Sequence, residues 1–151
     1  MPFRKVLLAL AQLAAAIAGL RSSYIIPLEN DAILYVRGVV DDPVSRLQGR
    51  LERGEVKLKY EDDYGYLPSV LKELGVSVRS QVLVFSKTSF QARRIAPRTP
   101  RALYFNDRTA VGFVRTGDVL ELAALDPKQG IIFYTLDQKP ASHPRFERRN
   151  E

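Results

Sequence analysis

Two turn signals constrain this chain more than any other feature: Asn106-Asp107-Arg108-Thr109 and Asp126-Pro127-Lys128-Gln129-Gly130. Each separates two short runs rich in β-branched and aromatic residues, "RALYF" from "AVGFV" and "VLELAAL" from "IIFYTL". Asn and Asp accept turn geometry, Pro presets the φ of a turn and Gly supplies a positive φ, so both stretches read as hairpins. With "QVLVFSK" ahead of them, the runs predict five consecutive strands joined by short links, which is antiparallel order. The link "FQARRIAPRTP" is irregular, because Pro97 and Pro100 donate no backbone hydrogen bond. In the last run, Ile131 and Phe133 point one way while Ile132, Tyr134 and Leu136 point the other. Both faces are apolar, and each therefore requires a cover.

Helices supply one such cover. "DDPVSRLQGRLERGE" has Asp41 or Asp42 as an N-cap, Pro43 for the first helical position and Gly54 for a left-handed C-terminal residue. Val44, Leu47 and Leu51 form one apolar stripe. A second short helix is predicted over Leu67–Leu74, ended by Gly75, and a short strand over Ala32–Val36. The expectation is an α+β fold, predominantly an antiparallel β meander or partly closed barrel of about five to six strands with two short helices, after an N-terminal signal helix.

That signal is read from "MPFRKVLLALAQLAAAIAGLRSS". Arg4 and Lys5 provide a positive start, Val6 to Leu20 form an apolar run broken only by Gln12, and Ala16 and Ala18 match a small-x-small cleavage site. The run falls short of the roughly 20 residues that cross a bilayer, so contact with a membrane is expected only through an uncleaved signal. The expected division is a signal peptide over 1–18, a β-rich domain over 19–139 and an extended connector over 140–151. Export places the domain in the periplasm or outside the cell, and argues against nucleic acid as its partner.

The chain of 151 residues carries 46% hydrophobic and 26% charged residues, enough apolar material for one sizeable core. It has no cysteine, which excludes disulfides, thiol nucleophiles, Cys-containing zinc sites and haem attachment within these residues. The single His143 stands between Ser142 and Pro144 in a Pro-containing segment without an acid beside it in sequence, the setting of a solvated histidine. Ser86 and Lys87 are adjacent, whereas a Ser–Lys acylase needs the lysine one helical turn on. Glu61, Asp62 and Asp63 lack the alternating ligand spacing of a calcium loop and read as a solvated turn.

Charge offers one candidate site. The net charge is +6, and between residues 93 and 115 six arginines (Arg93, Arg94, Arg98, Arg101, Arg108 and Arg115) face a single acid, Asp107. Interleaved Phe90, Tyr104, Phe105 and Phe113 give the mix of cations and rings found in single-strand nucleic-acid grooves, although the same aromatics suit strand-core positions. The functional reading is docking of an anion or a partner protein. The competing reading is a solvated or internally paired set of loop arginines, and geometry separates the two.

Several stretches together carry a resemblance: "DDPVSRLQGRLERGEVKL", "GYLPSVLKELGV", "SQVLVFSKTSFQARRIAPRTPRALYFND", "VGFV", "VLELAALDPKQGIIFYTLDQ" and the closing "RFERRNE". The chain resembles the N-terminal, haem-free region of large exported c-type-cytochrome-like proteins of the multihaem type from environmental bacteria, acidobacteria-like lineages among them. In that family a segment like Arg145–Glu151 is followed at once by a Cys-x-x-Cys-His motif. The resemblance implies no cofactor in this chain and haem c only downstream of Glu151. It further implies a scaffold or docking role in electron transfer, with a redox protein or the downstream haem region as partner. It carries over no catalytic residue.

Overall fold

The computed structural model describes residues 38–86 and 88–149. The expected signal and the expected strand at Ala32–Val36 lie outside them. Six strands form one antiparallel sheet in the order of the chain: β1 (Val82–Val84), β2 (Arg101–Phe105), β3 (Thr109–Val114), β4 (Val119–Asp126), β5 (Gly130–Asp137) and β6 (Phe146–Arg149). Helices α1 (Pro43–Glu52) and α2 (Leu67–Glu73) precede them, and short 3-10 turns lie at Val78–Ser80 and Ala92–Arg94. The meander is therefore present. The sheet is open: β1 and β6 are its two edges, so the barrel alternative is corrected to an unclosed sheet.

Local chemistry accounts for both helices. Asp42 caps α1 by accepting from the Val44 and Ser45 amides at 2.7 and 3.0 Å, and the Ser45 hydroxyl accepts in return from the Asp42 amide. Pro43 takes the first helical position, where its missing N–H costs nothing. Gly54, at φ 70°, closes the other end: its amide donates to the Leu51 carbonyl and the Glu55 amide donates to the Arg50 carbonyl. The same paired bonds end α2, from Gly75 to Lys72 and from Val76 to Leu71. Both are Schellman motifs, and they stop each helix where the glycine stands.

Register assigns the faces of the sheet. Leu120, Leu122 and Ala124 on β4 pair with Leu136, Tyr134 and Ile132 on β5, and all six are buried under the helices. Val44 and Leu47 of α1 join them, with Leu67, Val70 and Leu71 of α2. The segment between the helices packs Val56, Leu58 and Tyr60 on the same core while Lys57 and Lys59 stay in water. β6 belongs to this arrangement, although the stretch from Pro140 reads as a connector in sequence. Its Phe146 pairs with Leu136 and is buried, and the Phe146 amide donates to Gln48 of α1 at 2.9 Å.

Two carboxylates fasten α1 to the sheet. Asp42 is wholly buried and accepts from the Tyr134 hydroxyl at 2.5 Å. Asp126, in the β4–β5 turn, accepts from the amides of Asp41, Lys128 and Gln129. Desolvation works to raise the Asp126 carboxyl, but these three backbone donors outweigh it and hold the group below the ordinary aspartate range. Burial, and then the Asp42 hydrogen bond and charge, push the Tyr134 phenol well above its usual value.

Removing the Tyr134 hydroxyl leaves a buried carboxylate short of a donor, so Tyr134→Phe is expected to destabilise the domain by about 1.5–3 kcal/mol in urea unfolding. A raised phenol pKa means that the folded state holds the proton more tightly. The contribution of Tyr134 is thus complete below about pH 10 and falls as pH rises from there. The variant is expected to show a flatter stability profile above that pH.

Candidate functional site

The helices cover only one face. On the other, one register row crosses the sheet from Phe105 to Ala110, Ala123, Phe133 and Arg149. Phe105 and Phe133 stand three strands apart, roughly 14 Å at strand spacing, with only alanine methyls between them. The neighbouring row runs through Leu103, Gly112, Glu121 and Thr135. Large side chains thus rise from β2 and β5, with Ala110 and Gly112 of β3 and Ala123 of β4 low between them, which makes a trough. Ile131 and Phe133 remain 55% and 44% exposed, and Leu125 and Phe105 are exposed beside them. Among the described residues, no helix covers this second apolar face of β5.

The loop from Thr88 to Pro100 walls one end of this trough. Gln91 is buried and grips the β3–β4 turn, its Oε1 accepting from the Asp118 amide at 2.6 Å and its Nε2 donating to the Val119 carbonyl at 2.9 Å. Gly117 makes room for it, because a Cβ there would lie 2.4 Å from Gln91 Oε1. Ser89 donates to Glu121 Oε1 at 2.6 Å, and the Arg149 guanidinium lies over the Phe90 ring, 6.0 Å from its centroid. The loop, the trough floor and Phe133 enclose a cavity of about 350 Å³, whose lining includes Phe90, Leu103, Gly112, Ala123 and the Arg101–Glu121 pair.

That pair is the electrostatic centre of the face. Arg101 Nη2 meets Glu121 Oε2 at 2.8 Å, with the two side chains only 16% and 7% exposed. The guanidinium reaches β4 from β2 by crossing β3 at Gly112, where a Cβ would sit 2.7 Å from Arg101 Nε. The glycine inside the strand "AVGFV" is thereby explained: any side chain would occupy the path of the arginine. Arg101 Nη1 also donates to the Thr88 carbonyl at 3.1 Å, while its buried Nε has no hydrogen-bond partner among the described residues.

The six arginines do not act as one patch. Arg101 is committed to Glu121, and Arg94 grips Asp118 with Nε and Nη2 at 3.0 and 2.7 Å. Arg93, Arg98 and Arg115 are exposed in the connections at the same end of the sheet. Arg108 is exposed in the β2–β3 turn, at the opposite end of that hairpin. The interleaved rings separate too: Tyr104 is buried in the helix-side core, Phe113 packs against it, and Phe105 and Phe90 are exposed.

Other residues singled out in the sequence stay apart. Ser86 Oγ lies 2.8 Å from Thr88 Oγ1, and Lys87 falls outside the described residues. His143 is exposed beside a second groove, between α1 and the segment leading to β6, that Glu52, Lys57 and Arg145 also line. Asp62 and Asp63 are exposed in the tight turn closed by mutual Glu61–Gly65 backbone bonds. No cluster of three or more His, Cys, Asp or Glu side chains among the described residues is placed to hold a metal ion. Glu121, Ser89, Gln91 and Arg149 are the site residues that sequence reading passes over. Only Glu121 carries a signal, as a lone acid inside the apolar run "VLELAAL", and Gly112 inside a strand marks the path of its partner Arg101. No protein-family model, curated protein or solved structure matches this chain.

Truncating Glu121→Ala strands a largely buried arginine, and a loss of about 3 kcal/mol is expected, near the low end for buried pairs because Arg101 keeps some access to water. Gly112→Ala should cost about 1–3 kcal/mol by displacing the same guanidinium. Because both changes break one contact, their combination is expected to cost clearly less than the sum in denaturant unfolding.

Proposed function

We propose that this domain is an exported, haem-free scaffold that docks the haem-bearing region of a c-type-cytochrome-like electron-transfer protein. The observation that carries the reading is the open sheet face. A folded domain rarely leaves so many large apolar side chains of one surface in water without a partner, and here Phe90, Phe105, Leu125 and Phe133 stand exposed. The occupant is the region that the resemblance to cytochrome-like proteins places after Glu151. β6 supports that choice, since Arg149 lies beside Phe133 in register and brings the chain to the rim of the open face. In this role the domain performs no chemistry of its own; it fixes the haem region, and with it the distance over which an electron passes to a redox partner.

The coding sequence read past Glu151 is expected to contain Cys-x-x-Cys-His within a few codons, and the longer product, made with haem-maturation machinery, is expected to show covalent haem absorbance. In that product Ile131→Glu with Phe133→Glu should release the haem region, seen as a larger radius of gyration by small-angle scattering. A stop codon directly after Glu151 in the complete gene, or an unchanged radius, overturns the reading.

A second reading, a stand-alone exported module that binds an anionic surface, glycan or protein, draws on the exposed Arg93, Arg98 and Arg115 near the β3–β4 turn. It expects salt-dependent binding to anionic vesicles or heparin, weakened severalfold when all three are changed to Glu, since each phosphate or sulfate contact contributes to the salt slope. Binding that ignores the triple change returns these arginines to a solvated role.

A further inference from the structure

We propose that the cavity beneath the Thr88–Pro100 loop is a binding site for a small planar apolar molecule bearing one carbonyl or carboxylate group. The proposal goes beyond docking of a haem region and does not depend on it, because the described residues that line the site run from Thr88 to Tyr134. Its volume of about 350 Å³ lies in the range of small-molecule pockets. Its shape comes from sequence: Ala110, Gly112 and Ala123 keep the floor flat across β3 and β4, while Phe90, Leu103 and Phe133 rise around it. Flat aromatic walls over a floor without side-chain relief favour a planar ring system, which gains stacking and edge contacts beyond its buried area.

The polar end selects the functional group. Both oxygens of Glu121 already accept, one from Ser89 and one from Arg101. Of the five N–H donors of Arg101, one on Nη2 meets Glu121, one on Nη1 meets the Thr88 carbonyl and the Nε–H is buried over Gly112, which leaves two on the guanidinium nitrogens. The end of the cavity therefore offers the spare guanidinium N–H groups of Arg101, while Glu121, only 7% exposed, holds its oxygens toward Ser89 and Arg101. A ligand that presents an acceptor gains a hydrogen bond there, whereas one that presents an ammonium meets a guanidinium. The site is also held in shape before any ligand arrives. Ser89 is tied to Glu121, Gln91 to the β3–β4 turn, and the Phe90 ring lies under Arg149. Little ordering remains to be done on binding, which favours affinity in a small pocket.

The test is an NMR titration of the ¹⁵N-labelled 151-residue chain with 2-naphthoate, 2-naphthamide and 2-naphthylmethylammonium. The two acceptors are expected to cause saturable shifts centred on the amides of Ala110, Gly112 and Ala123, and the ammonium compound is expected to bind at least about tenfold more weakly. Ala123→Leu fills the trough from an open position without touching the ion pair and should reduce the affinity for 2-naphthoate about tenfold or more. Ala110→Leu does the same from β3, should Ala123→Leu perturb the spectrum globally. Absence of saturable shifts at millimolar ligand overturns the proposal. So does equal binding of the ammonium compound, or affinity retained in a folded trough-filling variant. The haem-region reading is judged on the longer gene product, so failure of either proposal is visible without the other.

Discussion

Asp42 is the point on which the architecture turns. Its carboxylate has no exposure, and a charge in such a place is tolerated only when its hydrogen-bonding capacity is met. The Val44 and Ser45 amides and the Tyr134 hydroxyl meet it. The first two donors start α1 and the third belongs to the centre of β5, so one group both nucleates a helix and sets where it lies. Asp126 adds a second bond to the same end of α1 through the Asp41 amide. With the helix held there, Val44 and Leu47 cover Tyr134, Leu136 and their neighbours, and Gln48 is in place to receive the amide that begins β6.

The two faces of the sheet follow different rules. The helix-side face is closed by apolar packing and by hydrogen bonds at its margin. On the open face the organising feature is an ion pair that spans three strands. Arg101 crosses Gly112 to reach Glu121, and the loop bearing Ser89 and Gln91 folds down because Glu121 and the β3–β4 turn give it partners. The same glycine and alanines that admit the arginine leave the trough empty beside it. Structural need and available space thus have one cause, and that is why the candidate site sits where it does.

Much of the fold was legible in the chain. The caps at Asp42, Gly54 and Gly75, the Asn106 turn and the Asp126–Gly130 turn are local devices, and each is found where its residues stand. The Asn106 side chain accepts from the Arg108 and Thr109 amides, the bond by which Asn closes such a turn. β6 was not legible. "RFERR" has one large apolar residue among charges, and its strand character comes from the unpaired edge of β5 and from Gln48, both far away in sequence. The arginine cluster misleads for the same reason: proximity along the chain shows neither Asp118 nor Glu121, which take two of its members.

The sequence by itself determined the elements and their order: two capped helices, then an antiparallel run of strands joined by turns whose residues permit little else. Periodicity and turn chemistry act over a few residues, so they survive without knowledge of the fold. Only the tertiary structure decided that the sheet stays open, which face the helices take, that the last segment joins as an edge strand, and that Arg101, Gly112, Glu121 and Ser89 meet. Those outcomes depend on contacts between residues many positions apart, and such contacts exist only once strand register has been set by burying one face.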